Sequence, residues 1–155
     1  MLRLTKRSEY GLMALAFMAQ SGPAYTSVRS IVSDLGIPRR LLAEVLKDLS
    51  RANLVEAVRG PGGGYRLTTS PEELSLARVV EILEGPVKVA ECADGGRCDL
   101  SPSCTIQNGI HVVAERIKSV LDTYSLAELA GAEETKPSGS EPAAGNEIAS
   151  DRYAV

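Results

Sequence analysis

The sequence has no hydrophobic run long enough to span a bilayer and no cysteine outside residues 92–104. Its longest apolar run is Leu12–Ala19, whereas a membrane-spanning helix needs about 20 predominantly apolar residues. Basic residues ahead of Tyr10–Ala19 imitate a secretory signal, but Glu9 interrupts that charge pattern. The cysteines are also odd in number, which argues against a secreted disulfide scaffold. We therefore expect a cytoplasmic protein without membrane contact.

Histidine is scarce as well, because His111 is the only one in the chain. An enzyme could pair it as a base with Cys104 as a nucleophile, since two residues seven positions apart share a helix face. Those side chains would lie roughly 10 Å apart along the helix axis, which is too far for direct proton transfer. No orienting acid or oxyanion motif is evident either. The sequence therefore predicts a protein that is not an enzyme.

Positive charge is concentrated in the first half of the chain. Residues 1–70 carry ten Lys and Arg against five Asp and Glu, a net charge of +5. Residues 71–155 carry seven against fifteen, a net charge of −8. An excess of cations is typical of surfaces that meet phosphate, so the distribution favours a nucleic-acid partner for the first half.

Three helices are predicted in the first 52 residues. The first spans Thr5–Gln20 and is apolar on nearly every face, which requires cover on several sides. A short helix over Val28–Leu35, capped by Ser27, and an amphipathic helix over Pro38–Ala52 follow. Gly36 in the intervening turn makes this pair a predicted helix-turn-helix, whose second helix enters the DNA major groove. A helical bundle with a solvated basic face remains the alternative. The outward face of the third helix presents Arg39, Arg40 and Lys47 as candidate DNA contacts.

A hairpin is predicted directly after the helix pair. Leu54–Arg59 and Tyr65–Thr68 are β-prone and flank the glycine-rich string 60–64. A nucleotide-binding loop would end in G-K-[ST] and lead into a helix, and this string does neither. The order helix, turn, helix, hairpin is that of a winged helix. Arg59 and Arg66 flank the loop, so we expect them to contact DNA, although solvated arginines are the alternative.

Two further helices are predicted after the hairpin. Ser70 begins a candidate capping box, and a short helix continues over Ser75–Glu84. A long helix is expected to begin at Cys104 and to run to about Tyr124. Apolar residues repeat along it in steps of three and four, the stripe of a helix–helix seam, and we expect a dimerisation helix or, alternatively, packing within the monomer. The seam consists of Ile106, Ile110, Val113, Ile117, Val120 and Leu121.

The regular spacing of Cys92, Cys98 and Cys104 indicates one bound centre. Thiolates in a C-x5-C-x5-C run can converge on a metal ion or an iron–sulfur cluster, and three of them leave one ligand position open. Cys104 at a helix start would benefit from the helix dipole, which favours a thiolate. Zinc is an alternative, although the two-residue spacing usual for zinc pairs is absent.

These features predict a mainly α fold with a small β wing: a winged helix-turn-helix plus a long dimerisation helix. We divide the chain into a DNA-binding region at 1–70, a cysteine loop and dimerisation helix at 71–130, and a tail at 131–155. The tail is expected to be disordered because Glu, Pro, Ser, Gly and Ala dominate it.

Three strings resemble those of a bacterial regulator family. The opening Leu2–Lys6, the wing string Val58–Tyr65 and the cysteine run occur in the order found in the IscR and NsrR regulators. The resemblance covers about residues 1–130. It implies a winged-helix homodimer that holds an iron–sulfur cluster, either 2Fe–2S or 4Fe–4S. A two-fold dimer would read a pseudopalindromic operator in double-stranded DNA.

The resemblance also implies the ligands of the cluster. Cys92, Cys98 and Cys104 match the cysteine ligands of the family. IscR-like proteins use a histidine three residues after the last cysteine, where this chain has Gln107. NsrR-like proteins use an acidic residue of the partner subunit's first helix, and the matching position is Glu9. Glu9 is therefore the favoured fourth ligand, and His111, one helical turn beyond Gln107, is the minor alternative.

The function that these observations favour is a transcriptional regulator, such as a repressor, whose operator affinity is controlled by a labile iron–sulfur cluster. A carboxylate binds iron less tightly than a thiolate does, so the cluster is expected to be reactive. The signal would be iron–sulfur status, redox state or nitric oxide. The alternative is a thiol- or zinc-based redox-sensing regulator without a cluster.

Overall fold

Helix α1 spans Lys6–Gln20 in the computed structural model, which describes residues 3–86, 88–94 and 96–131. The hydroxyl of Thr5 caps it by accepting a hydrogen bond from the Ser8 N–H at 3.3 Å. Leu15 and Met18 are fully buried, and α1 packs against most of the helices described below. Its central position fits the prediction that an almost wholly apolar helix is covered on several sides.

Helices α2 (Val28–Leu35) and α3 (Arg39–Arg51) form the predicted helix-turn-helix. Ser27 caps α2 by accepting the Ser30 N–H at 3.0 Å. Gly36 ends α2 in the left-handed region with φ 65°, and Ile37 in the turn is fully buried. The packed side of α3 consists of Leu42, Val45, Leu46 and Leu49, each buried.

Strands β1 (Val55–Val58) and β2 (Gly64–Leu67) form the predicted wing as an antiparallel hairpin. Gly60 adopts φ 106° in the turn, a conformation that L side chains rarely adopt. Gly64 is needed for a close approach, because a Cβ atom there would lie 2.2 Å from the Thr26 carbonyl oxygen. Tyr65 and Thr26 exchange two backbone hydrogen bonds of 2.8 Å each. The wing is thereby fixed to the residue just before the cap of α2.

Helix α4 spans Leu76–Glu84, and its cap is Ser75, which accepts the Arg78 N–H at 3.3 Å. The predicted capping box at Ser70 is wrong. The Ser70 hydroxyl donates to Glu72 instead, and residues 71–73 form a turn. The chain is extended at Ser75 because it pairs there with Ser125, and this extended residue sets the start of the helix.

Two 3-10 turns, Glu91–Asp94 and Ser101–Ser103, precede helix α5 (Gln107–Thr123), and a short helix α6 (Leu126–Ala130) follows it. Helix α6 was not predicted. A capping box of Ser125 and Glu128 begins it, and Leu126 is fully buried. Its last residue accepts a hydrogen bond from the Gln20 side chain at 3.2 Å. Helix α6 therefore closes the core against the end of α1.

The hydrophobic core joins both sides of residue 70, because Leu74, Val79, Leu83 and Leu126 belong to the same cluster as Leu15. The division at that residue follows sequence features and stays a prediction. Residues 132–155 of the expected tail lie outside the described residues. Within the described ranges, no helix is both long and apolar enough to cross a bilayer.

Candidate nucleic-acid interface and metal centre

The outward face of α3 is basic at its start. Arg39, Arg40 and Lys47 are exposed, opposite the buried leucine and valine face. Arg40 forms an exposed ion pair with Glu44 at 3.6 Å, which leaves its guanidinium largely solvated. The amphipathic sequence of α3 places these cations on the surface, and their contact with DNA stays a prediction.

The two arginines of the wing have different surroundings: one is exposed to solvent, and the other contacts side chains of the protein. Arg59 is exposed where β1 meets the glycine turn. Arg66 faces Glu56 across the hairpin, and its Nε donates a hydrogen bond to Glu56 Oε1. Its guanidinium carbon also lies 4.8 Å from the centre of the Tyr25 ring. Arg66 thus has two partners within the protein, and its contact with DNA stays a prediction.

Tyr25 completes this cluster at the base of the wing. Its hydroxyl donates to the same Glu56 oxygen at 3.0 Å. The Arg66 guanidinium, followed by the Tyr25 hydroxyl, holds the pKa of Glu56 below its usual value. Desolvation, followed by the hydrogen bond to Glu56, raises the pKa of Tyr25. The cluster stabilises the hairpin against the segment that leads into α2.

The three cysteines are free thiols on one segment of chain. Cys92 lies in the first 3-10 turn, Cys98 on the following loop, and Cys104 directly after the second turn. Each is half-buried and none forms a disulfide. The Cys98 carbonyl accepts the Ser101 N–H at 3.0 Å, and the first turn contacts α5. The segment therefore presents thiols that remain partly accessible to a ligand.

Cys104 does not begin the long helix, and this prediction is wrong. Its backbone is extended, with φ −76° and ψ 115°, and its N–H bonds to the Ser101 carbonyl. Helix α5 begins three residues later, at Gln107. Because the effect of a helix dipole is confined to the first turn, the dipole of α5 does not act on the Cys104 thiol as expected.

The candidate fourth ligands lie on different helices. Glu9, in the first turn of α1, forms an ion pair with Lys6 and holds the pKa of that lysine above its usual value. His111 is half-buried on α5. Gln107 accepts a hydrogen bond from the Ser101 hydroxyl at 3.0 Å. Among the residues that the structure describes, no three His, Cys, Asp or Glu side chains are gathered to hold a metal ion.

The predicted seam lies on an unusually open helix. Helix α5, which the structure describes throughout its length, has no buried residue. Val113 and Val120 are 46% and 56% exposed. An open groove of about 1120 Å³ lies between α4 and α5, and both Val113 and Val120 line it. This helix has an apolar side that its own chain does not cover.

Two contacts that the sequence did not predict hold the first turn of α1. Thr5 donates hydrogen bonds to Glu84 from its N–H and its hydroxyl, both at 2.9 Å. Arg7 forms an ion pair with Asp48 on α3. These partners lie 79 and 41 positions apart, so no local pattern could have revealed them. The Arg66–Glu56 pair could have been found, because opposite charges face each other once the hairpin register is set.

The comparisons agree with this geometry. The Rrf2 family, described as an iron-dependent transcriptional regulator, matches residues 4–132. The regulator NsrR of Geobacillus kaustophilus is 32% identical over 131 residues, which are 83% of this chain and 89% of that protein. These similarities are to transcriptional regulators, which confirms that the chain is not an enzyme.

Solved structures of the same class share the fold. CymR, the global cysteine regulator of Bacillus subtilis, is 28% identical with a TM-score of 0.68, over 84% of this chain and 97% of that one. IscR of T. potens is 28% identical with a TM-score of 0.64, over 83% and 85% of the two chains. The mainly helical winged-helix fold predicted from the sequence is confirmed. From its sequence match over 129 residues and its fold, the chain belongs to the Rrf2 family of transcriptional regulators.

Proposed function

We propose that this Rrf2-family regulator binds its operator with an affinity that depends on a labile iron–sulfur cluster. The observation that carries the proposal is the set of free, half-buried thiols of Cys92, Cys98 and Cys104 on one segment. Their donor chemistry fits, because soft thiolates are the usual ligands of iron–sulfur clusters. The similarity to NsrR and IscR, and the iron-dependent description of the family, support the same assignment.

Binding would require the cysteine segment to close around the cluster, because the described side chains are not gathered in advance. The turns at 91–94 and 101–103 allow this, since each is short and connected by loop. The bound cluster would supply redox chemistry and reactivity towards small oxidants. The protein's own contribution is to hold the thiols half-buried, where both ligation and attack remain possible.

The fourth ligand that we propose is Glu9 of a second subunit. Gln107, at the position of the histidine ligand of IscR-like proteins, is instead bonded to Ser101. His111 lies a helical turn further along α5 and is the minor alternative. Glu9 is half-buried in the first turn of α1, and its only described ion-pair partner is Lys6. Because a carboxylate binds iron less tightly than a thiolate does, Glu9 could be displaced from the cluster easily, as a labile cluster requires.

A homodimer is the assembly that supports this arrangement. The apolar side of α5 and the groove beside α4 present uncovered apolar surface, which a second copy would bury. A two-fold pair would place two α3 helices on the half-sites of a pseudopalindromic double-stranded DNA operator. Arg39 and Arg40 would then reach base edges or phosphates, Lys47 would contact the backbone, and Arg59 and Arg66 would approach from the wing.

Anaerobic reconstitution with iron and sulfide tests the proposed cofactor. Wild-type protein should acquire visible charge-transfer absorption with stoichiometric iron and sulfide, and Cys98→Ala should abolish it. Glu9→Ala should leave a cluster that forms but decays faster. Wild-type protein that gains no visible absorption under these conditions would contradict the proposal.

The second candidate function is a regulator that senses oxidants through its thiols or binds zinc. The favouring observation is that the three thiols are free and half-buried, because a free thiol can be oxidised or can bind zinc. Metal analysis distinguishes the two candidates, because a zinc protein would contain zinc without sulfide and a thiol sensor would contain neither. Purification under strictly anaerobic conditions keeps the comparison valid.

A further inference from the structure

An ion pair joins the two helices that carry the proposed ligand and the proposed DNA contacts. Arg7, in the first turn of α1, bonds through Nη2 to Oδ2 of Asp48 on α3. Asp48 follows Lys47 and also lies 3.6 Å from the guanidinium of Arg51. The Arg7 and Asp48 side chains are 34% and 26% exposed, so solvent screens their attraction only in part.

Arg7 and Glu9 lie on different sides of α1. Two helical positions correspond to a rotation of roughly 200°, so when Arg7 faces α3, Glu9 faces away from it. Both residues belong to the same turn, which Thr5 fixes to Glu84 on the end of α4. The first turn of α1 is thus attached to α4 through Thr5 and to α3 through Arg7, so a shift of this turn at Glu9 would act on both contacts.

We propose that the Arg7–Asp48 ion pair is the positioning contact that transmits ligation at Glu9 to the DNA-reading helix α3. The inference rests on the proposed function. Ligation would remove Glu9 from Lys6, the first turn would adjust, and Arg7 would carry that adjustment to the segment of α3 that contains Lys47. Arg7 and Asp48 act here by positioning, and neither needs to touch DNA or the cluster.

Within the described part of the chain, the Arg7–Asp48 pair leaves one hydrogen-bond donor of Arg7 without a partner. Such a pair is suited to rearrange between the cluster-loaded and cluster-free states. Arg7 Nε is buried and has no hydrogen-bond partner among the described residues. A buried donor without a partner costs free energy, and such a group calls for a reason. Asp48 divides its carboxylate between Arg7 and Arg51. A small displacement of the turn can therefore shift the balance between these two arginines.

The test compares operator affinities of cluster-loaded and cluster-free protein, measured without oxygen by fluorescence anisotropy on a selected DNA duplex. Wild type should give an affinity ratio within about 5–150-fold between the two states. Arg7→Met, Asp48→Asn and the double variant should keep the visible spectrum of the loaded protein. Each should reduce the ratio at least about fivefold, and the double variant should resemble the single ones, because they break one unit.

Gln20→Ala is the matched control, because it removes a hydrogen bond at the other end of α1 and should leave the ratio unchanged. Variants that load the cluster and retain the wild-type ratio would overturn the transmission role alone. A wild-type ratio of one would overturn the proposed function and this inference together. If a variant is unstable, hydrogen exchange on the wild-type protein replaces it. Amide protection in the first turn of α1 and in residues 47–51 should change together between the cluster-loaded and cluster-free forms. Independent changes in the two segments would overturn the inference.

Discussion

Glu84, the last residue of α4, accepts two hydrogen bonds of 2.9 Å from Thr5, one from the backbone N–H and one from the hydroxyl. The same Thr5 hydroxyl caps α1. Glu84 is followed at once by Gly85 and Pro86, where the chain leaves the core for the cysteine segment. One carboxylate therefore fixes the start of α1 relative to the start of that segment.

The first prediction concerns this carboxylate and pH. Burial disfavours its charge, but the hydrogen bonds outweigh burial and hold the pKa of Glu84 below its ordinary value of 4.5. A carboxylate with a lowered pKa in the folded protein stabilises it fully above the unfolded value and loses that contribution as pH falls through the folded value. Glu84→Gln should therefore cost about 1 kcal/mol in free energy of unfolding at pH 7 and less below pH 4.5, as chemical denaturation would show.

Glu73→Gln is the control for that measurement, because Glu73 is an exposed carboxylate before α4. It should change the free energy of unfolding by less than about 0.5 kcal/mol at pH 7. If Glu84→Gln lowered the stability equally at neutral pH and well below pH 4.5, the negative charge of Glu84 would not be the source of its stabilising effect.

The second prediction concerns α6. Leu126 is fully buried in the core that α1 and α4 form, whereas Leu129 on the same helix is 42% exposed. Leu126→Ala should lower the free energy of unfolding by about 2–5 kcal/mol, because it leaves a cavity. Leu129→Ala should have a small effect in a monomer. Equal losses from the two variants in thermal and chemical denaturation would contradict the packing of α6.

The third prediction concerns the dimer. Replacing Val113 and Ile117 with Asp should place charge in the proposed interface, and sedimentation should report monomers or aggregates with little DNA affinity. Val112→Asp is the matched control, because Val112 is exposed on another face of α5. A folded double variant that stays dimeric would place the interface elsewhere.

The fourth prediction concerns the wing. Arg59→Ala should weaken operator binding by about 1–3 kcal/mol and leave the melting temperature unchanged, because Arg59 is exposed. Arg78→Ala provides a control for charge alone, since Arg78 is exposed on α4 and belongs to neither α3 nor the hairpin. A salt series on both variants would separate specific contact from general attraction. Similar losses for the two arginines would contradict a direct wing contact.

Local patterns predicted the parts of the fold that local interactions determine. Ser27 caps α2 and Gly36 ends it, as the sequence indicated, because caps and left-handed glycines act within one turn. The wing followed from the glycine string between two β-prone segments. Helix α6 was not predicted, although Ser125 and Glu128 have capping-box spacing, because five residues are too few for a clear helical repeat of apolar side chains.

Of the two errors in helix starts, one came from a long-range contact and the other from a local turn. Ser75 rather than Ser70 caps α4 because Ser75 pairs with Ser125, fifty positions away. Cys104 was expected to begin the long helix, but its N–H bonds to the Ser101 carbonyl and the helix begins at Gln107. For the site, the positions of the cysteines along the chain were evident from the sequence, whereas Thr5–Glu84 and Arg7–Asp48 required the fold.

The most direct test of the account compares operator affinity with and without the cluster. Cluster-loaded and cluster-free wild-type protein would be titrated anaerobically against the same selected duplex at one salt concentration, because phosphate contacts make affinity salt-dependent. The two affinities should differ by a coupling free energy of about 1–3 kcal/mol, and the difference should be smaller for Glu9→Ala. Equal affinities of the two wild-type forms would contradict control of DNA binding by the cluster, even if the cluster is bound.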